Sequence, residues 1–396
     1  MNYKYAMVVV GYNRPDSVLR LLKSLDNVKF GNANVDLIVS IDNSGNDAVE
    51  NVSREFEWKY GQKKVFTYLE RMGLRKHILH CGAFLEEYDA IAVLEDDLIV
   101  SPALFHYMQA AVEKYYDNEN IAGISLYTHL WNPNGGYPFA PDSNGHDVFF
   151  MQMAQSWGQV WMRNQWKDFM EWYKENDGEI EKTWDFPEYI TKWSKSWLKY
   201  HIKYCSENKK YFVYPYLSYT TCFNEAGEHS VIDASVFQVP MMRYPLERYR
   251  FPELDDVNAV RYDVFFEREK LGRYLDASDD ELTVDIYGTK VEATNQRKYL
   301  LSSRKLKYKV MKKYALQMRP QECNIMYDIA GKDIFLYDTL IKADSSAETK
   351  GHNERSYIYY HRIHGNTRTI GKVLLYKVKE CIYIAIERYI KKVKKK

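Results

Sequence analysis

The chain reads as an α/β protein: a mostly parallel sheet flanked by helices, then an accessory region, then a terminal basic amphipathic helix. Three observations lead there. The short apolar runs Tyr5–Val10 and Ala90–Leu94, and the strand-like segment Val35–Ile41, suit strands buried in the sheet. Segments of helical periodicity separate those runs, which marks βαβ units with right-handed crossovers. The acidic triplet Glu95-Asp96-Asp97 closes the Ala90–Leu94 run, at the edge where open α/β sheets bind ligands.

The elements follow in order. Pro15 opens a helix whose Val18, Leu21, Leu22 and Leu25 share one face. Asp42-Asn43-Ser44-Gly45 ends the second strand as a turn. A polar helix is expected over Asp47–Trp58, a third strand over Val65–Leu69 and a helix over Leu74–Tyr88. Beyond the triplet, Ser101-Pro102 caps a helix with Leu104, Met108, Val112 and Tyr115 inward. Gly135–His146 is rich in turn formers and reads as a surface loop. A helical, Trp-rich stretch is expected from Ser156 to Cys205, a late strand over Tyr211–Tyr216 and a loop over Asn224–Ser230. Composition shifts after Ala234, so residues 1–234 form the first domain and residues 235–371 an accessory region. In residues 372–396, Leu374, Val378, Cys381, Ile382, Ala385, Ile386, Tyr389 and Val393 recur at helical spacing among lysines. Such a helix can lie in an anionic membrane surface, each nearby basic residue contributing about 1 kcal/mol.

Composition bounds the function. The 396 residues are 46% hydrophobic and 28% charged, enough for a sizeable core. A net charge of +1 argues against a nucleic-acid binder held by a global positive field. The cysteines are scattered and never form a Cys-x-x-Cys pair, which fits a reducing compartment better than disulfides or zinc. No signal-peptide pattern and no bilayer-length apolar run is present. The expected location is cytoplasmic, peripheral at the inner face of the cell membrane.

Three adjacent carboxylates repel one another unless a cation or hydrogen-bond donors offset the charge. Hard oxygens with room for water and phosphate suit Mg²⁺ or Mn²⁺ on a diphosphate. In Gly11-Tyr12-Asn13-Arg14-Pro15, Gly11 permits close approach, Asn13 can hydrogen-bond, and Arg14 can reach phosphate or base. Asp42 at the second strand's end is a suitable acceptor for ribose or base groups. Arg71-Met72-Gly73-Leu74-Arg75-Lys76 opens a helix with basic side chains, an arrangement that favours anions. Neither a G-x-G-x-x-G nor a Walker A pattern occurs. His77, His80 and Cys81 lack an evident fourth ligand and read as a helix-surface group rather than a metal site.

Together these motifs resemble a nucleotide-sugar-dependent glycosyltransferase of the GT-A fold, a Rossmann-like sheet flanked by helices, over roughly the first 230 residues. The likeness is to bacterial capsular and exopolysaccharide transferases and, more distantly, to the N-acetylglucosaminyltransferase I type, whose Glu-Asp-Asp is its version of the DxD motif. The resemblance implies that Asp97 holds Mn²⁺ or Mg²⁺ while Glu95 and Asp96 face the donor. It also implies a donor site around Gly11, Asn13, Arg14, Asp42, Arg71, Gly73 and Arg75. Ser156-Trp157-Gly158 is similar to the Trp-Gly segment on the acceptor side, which nominates Trp157 and Gly158. Asn224–Ser230 resembles a late loop that closes over the diphosphate, where His229 could ligate metal.

The departure is the catalytic base. The resemblance implies a base in a Trp-Asp pair about eighteen residues before a Pro that precedes the late strand; counting back from Pro215 reaches Trp197, but Leu198 and Lys199 follow it and neither can be that base. The Trp-Asp pair here is Trp184-Asp185, so Asp185 is the candidate, with Glu188 second and Glu225 and Glu228 behind. The expectation is a metal-dependent, inverting hexosyltransferase acting from a UDP-sugar onto a glycan or lipid-linked acceptor in surface polysaccharide synthesis. Two rivals stand: a sugar-nucleotide nucleotidyltransferase, and a non-catalytic membrane-bound scaffold that keeps the fold.

Overall fold

The computed structural model describes residues 3–223, 236–343, 354–361 and 367–393. The first half runs β1 (Tyr5–Gly11), α1 (Pro15–Asp26), β2 (Val35–Ile41), α2 (Ala48–Glu55), β3 (Lys63–Thr67), α3 (Leu74–Cys81) and β4 (Ala90–Glu95). Then come β5 (Leu98–Val100), α4 (Leu104–Tyr115), β6 (Ile121–Ser125), β7 (Trp131–Asn132), β8 (Tyr137–Pro138), β9 (Val148–Met151) and β10 (Gln159–Met162). Helices α5 (Arg163–Glu175), α6 (Glu188–Thr191) and α7 (Leu198–Glu207) lead to β11 (Tyr211–Pro215), β12 (Thr220–Cys222) and β13 (Arg261–Tyr262). The rest holds β14 (Leu282–Asp285), β15 (Tyr299–Ser302), β16 (Tyr308–Tyr314), α8 (Cys323–Met326), β17 (Ile334–Lys342), α9 (Glu354–His361) and α10 (Thr367–Val393).

Among the described residues the main sheet has nine strands in the order β13-β9-β11-β6-β10-β4-β1-β2-β3. β3, β2, β1 and β4 are mutually parallel, so their C-terminal ends share one edge. β10 is inserted antiparallel between β4 and β6. The strands β1, β2 and β4 are buried almost throughout, which is why β1 and β4 read as apolar runs and why the polar residues of β2, Asp36 and Ser40, are hydrogen-bonded to Tyr88 and His77. One face packs on α1 and α4 through Val18, Leu21, Leu25, Phe105 and Met108. The other packs on the aromatic cluster of Trp161, Trp166, Phe169, Tyr200 and Phe212.

Several expected bounds shift, each for a local reason. The helix expected to reach Trp58 ends at Glu55, because Trp58 turns back to donate its indole N–H to the Val35 carbonyl at 2.8 Å. The third strand starts earlier, at Lys63, and Leu69 is fully exposed. The helix expected to reach Tyr88 ends at Cys81 and continues as a tight 3₁₀ turn, Gly82–Glu86. Gly82 sits under Trp166, whose indole would lie 2.0 Å from a Cβ there. The stretch after Ser156 is not helical at first: Gln159–Met162 is strand β10, and helix begins at Arg163. The three-residue apolar run Val160–Met162 does not tell strand from helix by periodicity. The Gly135–His146 segment is more than a surface loop, since β8 pairs with β7 and Tyr137 and Phe139 are buried. Asn224–Ser230 lies outside the described residues.

Beyond residue 235 the chain first completes the main sheet, β13 pairing parallel with β9. It then forms a four-stranded sheet ordered β14-β15-β17-β16. A buried ionic group links the two parts: Lys290 pairs with Asp263, and Asp285 accepts from Ser302 Oγ and Arg304 Nε at 3.0 Å each. α10 is helical as expected, but Val373, Leu374, Leu375 and Tyr376 are all more than half exposed. Neighbours on a helix are about 100° apart, so the apolar surface wraps beyond one stripe. Among the described residues no helix is long and apolar enough to cross a membrane.

Candidate functional site

The register of β1 against β4 sets Val10 beside Glu95, bringing the segment after Gly11 and the acidic triplet to the same sheet edge. There Arg14 grips Asp96 with two donors, Nη2 to Oδ1 and Nε to Oδ2 at 3.2 Å. Burial lifts the Asp96 carboxyl to a pKa of about 6, against the pull of Arg14. Burial works to lower the Arg14 pKa, but the charge and hydrogen bonds of Asp96 outweigh it and the net shift is upward. Glu95 keeps part of its surface open yet is hemmed in by protein. Burial, then Asp97 and Asp96, hold its carboxyl well above the usual carboxylate range, with Arg14 opposing. The Asp97 carbonyl accepts from Phe223 N at 2.6 Å, which ties the triplet to β12.

The donor set suits a hard divalent cation in one way. Asp97 lies near enough to Arg14 for its charge to act on that side chain, and Mg²⁺ or Mn²⁺ commonly takes one or two protein carboxylates with phosphate and water. Among the described residues no group of three His, Cys, Asp or Glu is placed to hold a metal. A cation here would therefore depend on a ligand's phosphates for most of its coordination.

Asp42 is buried and braces the basic loop. Its Oδ1 accepts from Met72 N at 2.7 Å and Asn43 N at 2.9 Å, and its Oδ2 accepts from Gly73 N at 2.9 Å. Gly73 has φ 77, a left-handed conformation that glycine adopts without strain. Arg71 lies over the Tyr12 ring at 4.8 Å. Arg75 donates to the Ser194 carbonyl at 2.9 Å and lies 4.8 Å from the Tyr200 ring centre.

This loop forms one wall of a cavity of about 1790 Å³. Arg71, Gly73, Arg75, Lys76, Arg163, Lys167, Lys192 and Lys195 line it, with Glu86 and Glu95 as the acidic members. Trp157, Trp166, Trp193, Trp197, His129 and Phe237 supply aromatic surface. Trp157 is held by Phe237, stacked with centroids 4.7 Å apart, and by Tyr127 at 4.9 Å. Gly158 is required by its backbone: φ is 99, and a Cβ would lie 2.9 Å from Thr220 Cγ2. His129 is buried with both ring nitrogens unpartnered, and burial lowers its pKa to about 3, so it is neutral.

The structure thus brings Glu95, Arg71, Gly73, Arg75 and Trp157 together around one cavity, with Asp42 bracing its basic wall and Gly158 shaping the Trp157 turn. The Arg14–Asp96 pair and Asp97 lie at the adjoining strand tip. Gly11 packs against Val18 and Val49, 3.2 and 3.1 Å from where a Cβ would sit, and Asn13 is exposed. The two carboxylates nominated as base are elsewhere. Asp185 is exposed and does not line the cavity. Glu188 is also off the cavity, ion-paired with Lys192 at 2.7 Å and Lys182 at 3.1 Å; those hydrogen bonds lower its pKa, the wrong direction for a base. His229, Glu225 and Glu228 lie outside the described residues. Sequence reasoning missed the Lys192–Leu198 wall and His129. The alternation of basic and aromatic residues in Lys192-Trp193-Ser194-Lys195-Ser196-Trp197 was the available signal.

No protein-family model matches the chain, and no curated protein matches it in sequence. Similar solved structures include S. aureus TarS 1–349 in complex with UDP-GlcNAc, 14% identical, covering 57% of this chain and 60% of that one at a TM-score of 0.37. Another is the mannosyltransferase PcManGT from Pyrobaculum calidifontis in complex with GDP-Man and Mn²⁺, 11% identical, covering 55% and 58% at a TM-score of 0.34. The match thus spans about 60% of the length of those chains.

Proposed function

We propose that this chain is a metal-dependent, inverting glycosyltransferase of the GT-A type. It moves a sugar from a nucleotide-sugar, a UDP-sugar being favoured, to a glycan or lipid-linked acceptor in bacterial surface polysaccharide synthesis. The observation that carries the reading is the cavity: a cationic wall, aromatic faces and a carboxylate at a parallel-sheet edge, in one enclosure. A diphosphate fits the arginines and lysines, and a sugar ring fits an indole face.

Asp97 would hold Mn²⁺ or Mg²⁺, which when bound neutralises charge on the departing nucleoside diphosphate. Arg71 and Arg75 bind phosphate oxygens, and the Asp42 brace keeps them in place. Trp157 positions a sugar ring. In an inverting displacement the acceptor oxygen bonds to the anomeric carbon as the bond to the diphosphate oxygen breaks, and the hydroxyl proton must go to a base. With Asp185 and Glu188 off the cavity, that role passes to Glu95, which lines it. The exposed apolar surface and flanking lysines of α10 support a peripheral site at the cytoplasmic membrane face, where lipid-linked acceptors reside.

The test is a nucleotide-sugar screen with Mn²⁺ and a lipid-linked acceptor extract. Asp97→Ala and Glu95→Gln should each remove at least a hundredfold of turnover, while Asp185→Asn stays within twofold. Thermal stabilisation by UDP, GDP or CDP without turnover of any donor would favour the scaffold reading instead. Wild-type rates in Asp97→Ala would end the metal assignment.

A further inference from the structure

The edge of the accessory sheet carries a surface that the transfer chemistry does not use. β16 is an outermost strand, paired with β17 on one side. From Ser303 to Met318 the chain contains no acidic residue but includes Lys305, Lys307, Lys309, Lys312 and Lys313, and Lys342 lies opposite Tyr308. Two register breaks interrupt the β16–β17 ladder. The pairing passes from Val310↔Tyr337 to Lys312↔Leu336, leaving Met311 as the extra residue. It also passes from Tyr308↔Lys342 to Lys309↔Asp338, leaving Thr339, Leu340 and Ile341 unpaired. Bulges of this kind re-aim side chains at sheet edges. Met311 is 49% exposed, Leu340 73% and Ile341 43%, with Val310 beside them at 37%.

Lysines along an edge strand are a common guard against edge-to-edge pairing. That explanation covers the charges but not the large apolar side chains at the register breaks, which a guarded edge has reason to exclude. Ammonium groups interleaved with exposed aliphatic side chains match an anionic bilayer surface, where headgroups take the charge and the interface takes the apolar tips. A second copy of the chain fits poorly, because edge-to-edge pairing along β16 would set lysine against lysine.

We propose that the β16–β17 edge is a membrane-docking surface for anionic lipid, separate from α10. Lys307, Lys309, Lys313 and Lys342 meet the headgroups, and Met311 and Leu340 enter the interface. The proposal does not depend on the glycosyltransferase reading, since vesicle binding is measured without turnover.

The experiment uses the full chain and sedimentation with vesicles of phosphatidylcholine alone or with phosphatidylserine. Wild type should bind the anionic vesicles. Lys307→Gln/Lys313→Gln should weaken that binding about 25-fold, roughly fivefold per lysine, and Met311→Ser/Leu340→Ser should weaken it severalfold. Both pairs are on exposed positions and should leave the melting temperature unchanged. As an independent locator, Met311→Cys in a Cys381→Ser background is labelled with a polarity-sensitive fluorophore; the other cysteines described are buried. Its emission should shift to the blue on anionic vesicles and not on neutral ones. Wild-type vesicle affinity in both double variants, with no shift of the probe, would leave α10 as the membrane contact and overturn the proposal. So would a probe shift that follows protein concentration without vesicles, which would mean self-association, or one produced by an acidic polypeptide but not by lipid.

Discussion

Replacing Asp42 by Asn tests how the cavity's basic wall is held. Asp42 sits at the tip of β2, buried, and takes hydrogen bonds from the Met72 and Gly73 amides at 2.7 and 2.9 Å. An Asn side chain keeps one carbonyl oxygen and presents N–H groups where the second oxygen was. At most one of the two loop amides then keeps its partner, and the other faces a donor. Losing a charge-assisted bond costs about 2 kcal/mol, and orphaning a half-buried donor adds about 1 kcal/mol. The expected loss is about 3 kcal/mol, concentrated in residues 70–75 because those amides belong to the loop and not to the sheet. Amide exchange at Met72 and Gly73 should accelerate by roughly 100-fold (3 kcal/mol is about two factors of ten) while exchange in β1 and β4 stays put. Nucleotide affinity should fall in parallel, because Arg71 and Arg75 flank the freed amides. Unchanged exchange at both amides, with nucleotide affinity intact, would refute the idea that Asp42 acts as a brace.

Three further outcomes follow from the same geometry. Gly158→Ala should destabilise the protein by about 2–4 kcal/mol, since it combines a left-handed backbone with a Cβ 2.9 Å from Thr220 Cγ2; a change in Trp157 fluorescence at unchanged secondary structure would report the displaced turn. Glu188→Gln should leave turnover and the melting temperature unchanged, as expected for a solvent-exposed ion pair. His201 is buried with neither ring nitrogen partnered, stacked on Phe169 with centroids 4.2 Å apart, and burial lowers its pKa to about 3. Its folded pKa lies below the unfolded 6.5, so its contribution is present above pH 6.5 and is lost as pH falls toward 3, by about 2 kcal/mol between pH 7 and 5. His201→Phe should flatten the acid limb of urea-unfolding stability by that amount; an unchanged slope would show that the ring is solvated.

The fold was legible where one physical signal dominated. β2 was readable residue for residue because its Val35, Leu37, Ile38, Val39 and Ile41 supply the aliphatic content that burial on both faces demands, and α1 because Val18, Leu21, Leu22 and Leu25 sit at one helical spacing behind Pro15. β10 was illegible for the opposite reason. Its apolar run is as short as a helical turn, and what makes it a strand is the gap between β4 and β6 that it fills, a contact with residues more than sixty positions back in the chain. Gly82 shows the same limit: the helix stops under the indole of Trp166, a side chain contributed by a distant segment. The accessory sheet gave little warning because β14 and β15 are only four residues long and β16 and β17 mix lysine and tyrosine with aliphatic residues without clean alternation.

The site divides along the same line. An acidic triplet at a strand tip is a local pattern, and the structure sets it beside Arg14 as charge balance requires. A general base is not a local pattern. It is a carboxylate within reach of a reacting hydroxyl, and reach is decided by folding. Asp185 was reached through the neighbour that precedes it, Trp184, yet the turn before α6 leaves it exposed and hands Glu188 to two lysines. Glu95 was read together with Asp96 as a donor contact beside a metal-holding Asp97, although the fold makes Glu95 and Asp96 unequal. Arg14 takes Asp96, the chain bends back so that the Asp97 carbonyl meets β12, and Glu95 alone of the triplet faces the cavity with Trp157 and Trp197. If proton transfer occurs in this enclosure, it is this inequality among adjacent residues, and not their shared charge, that assigns it.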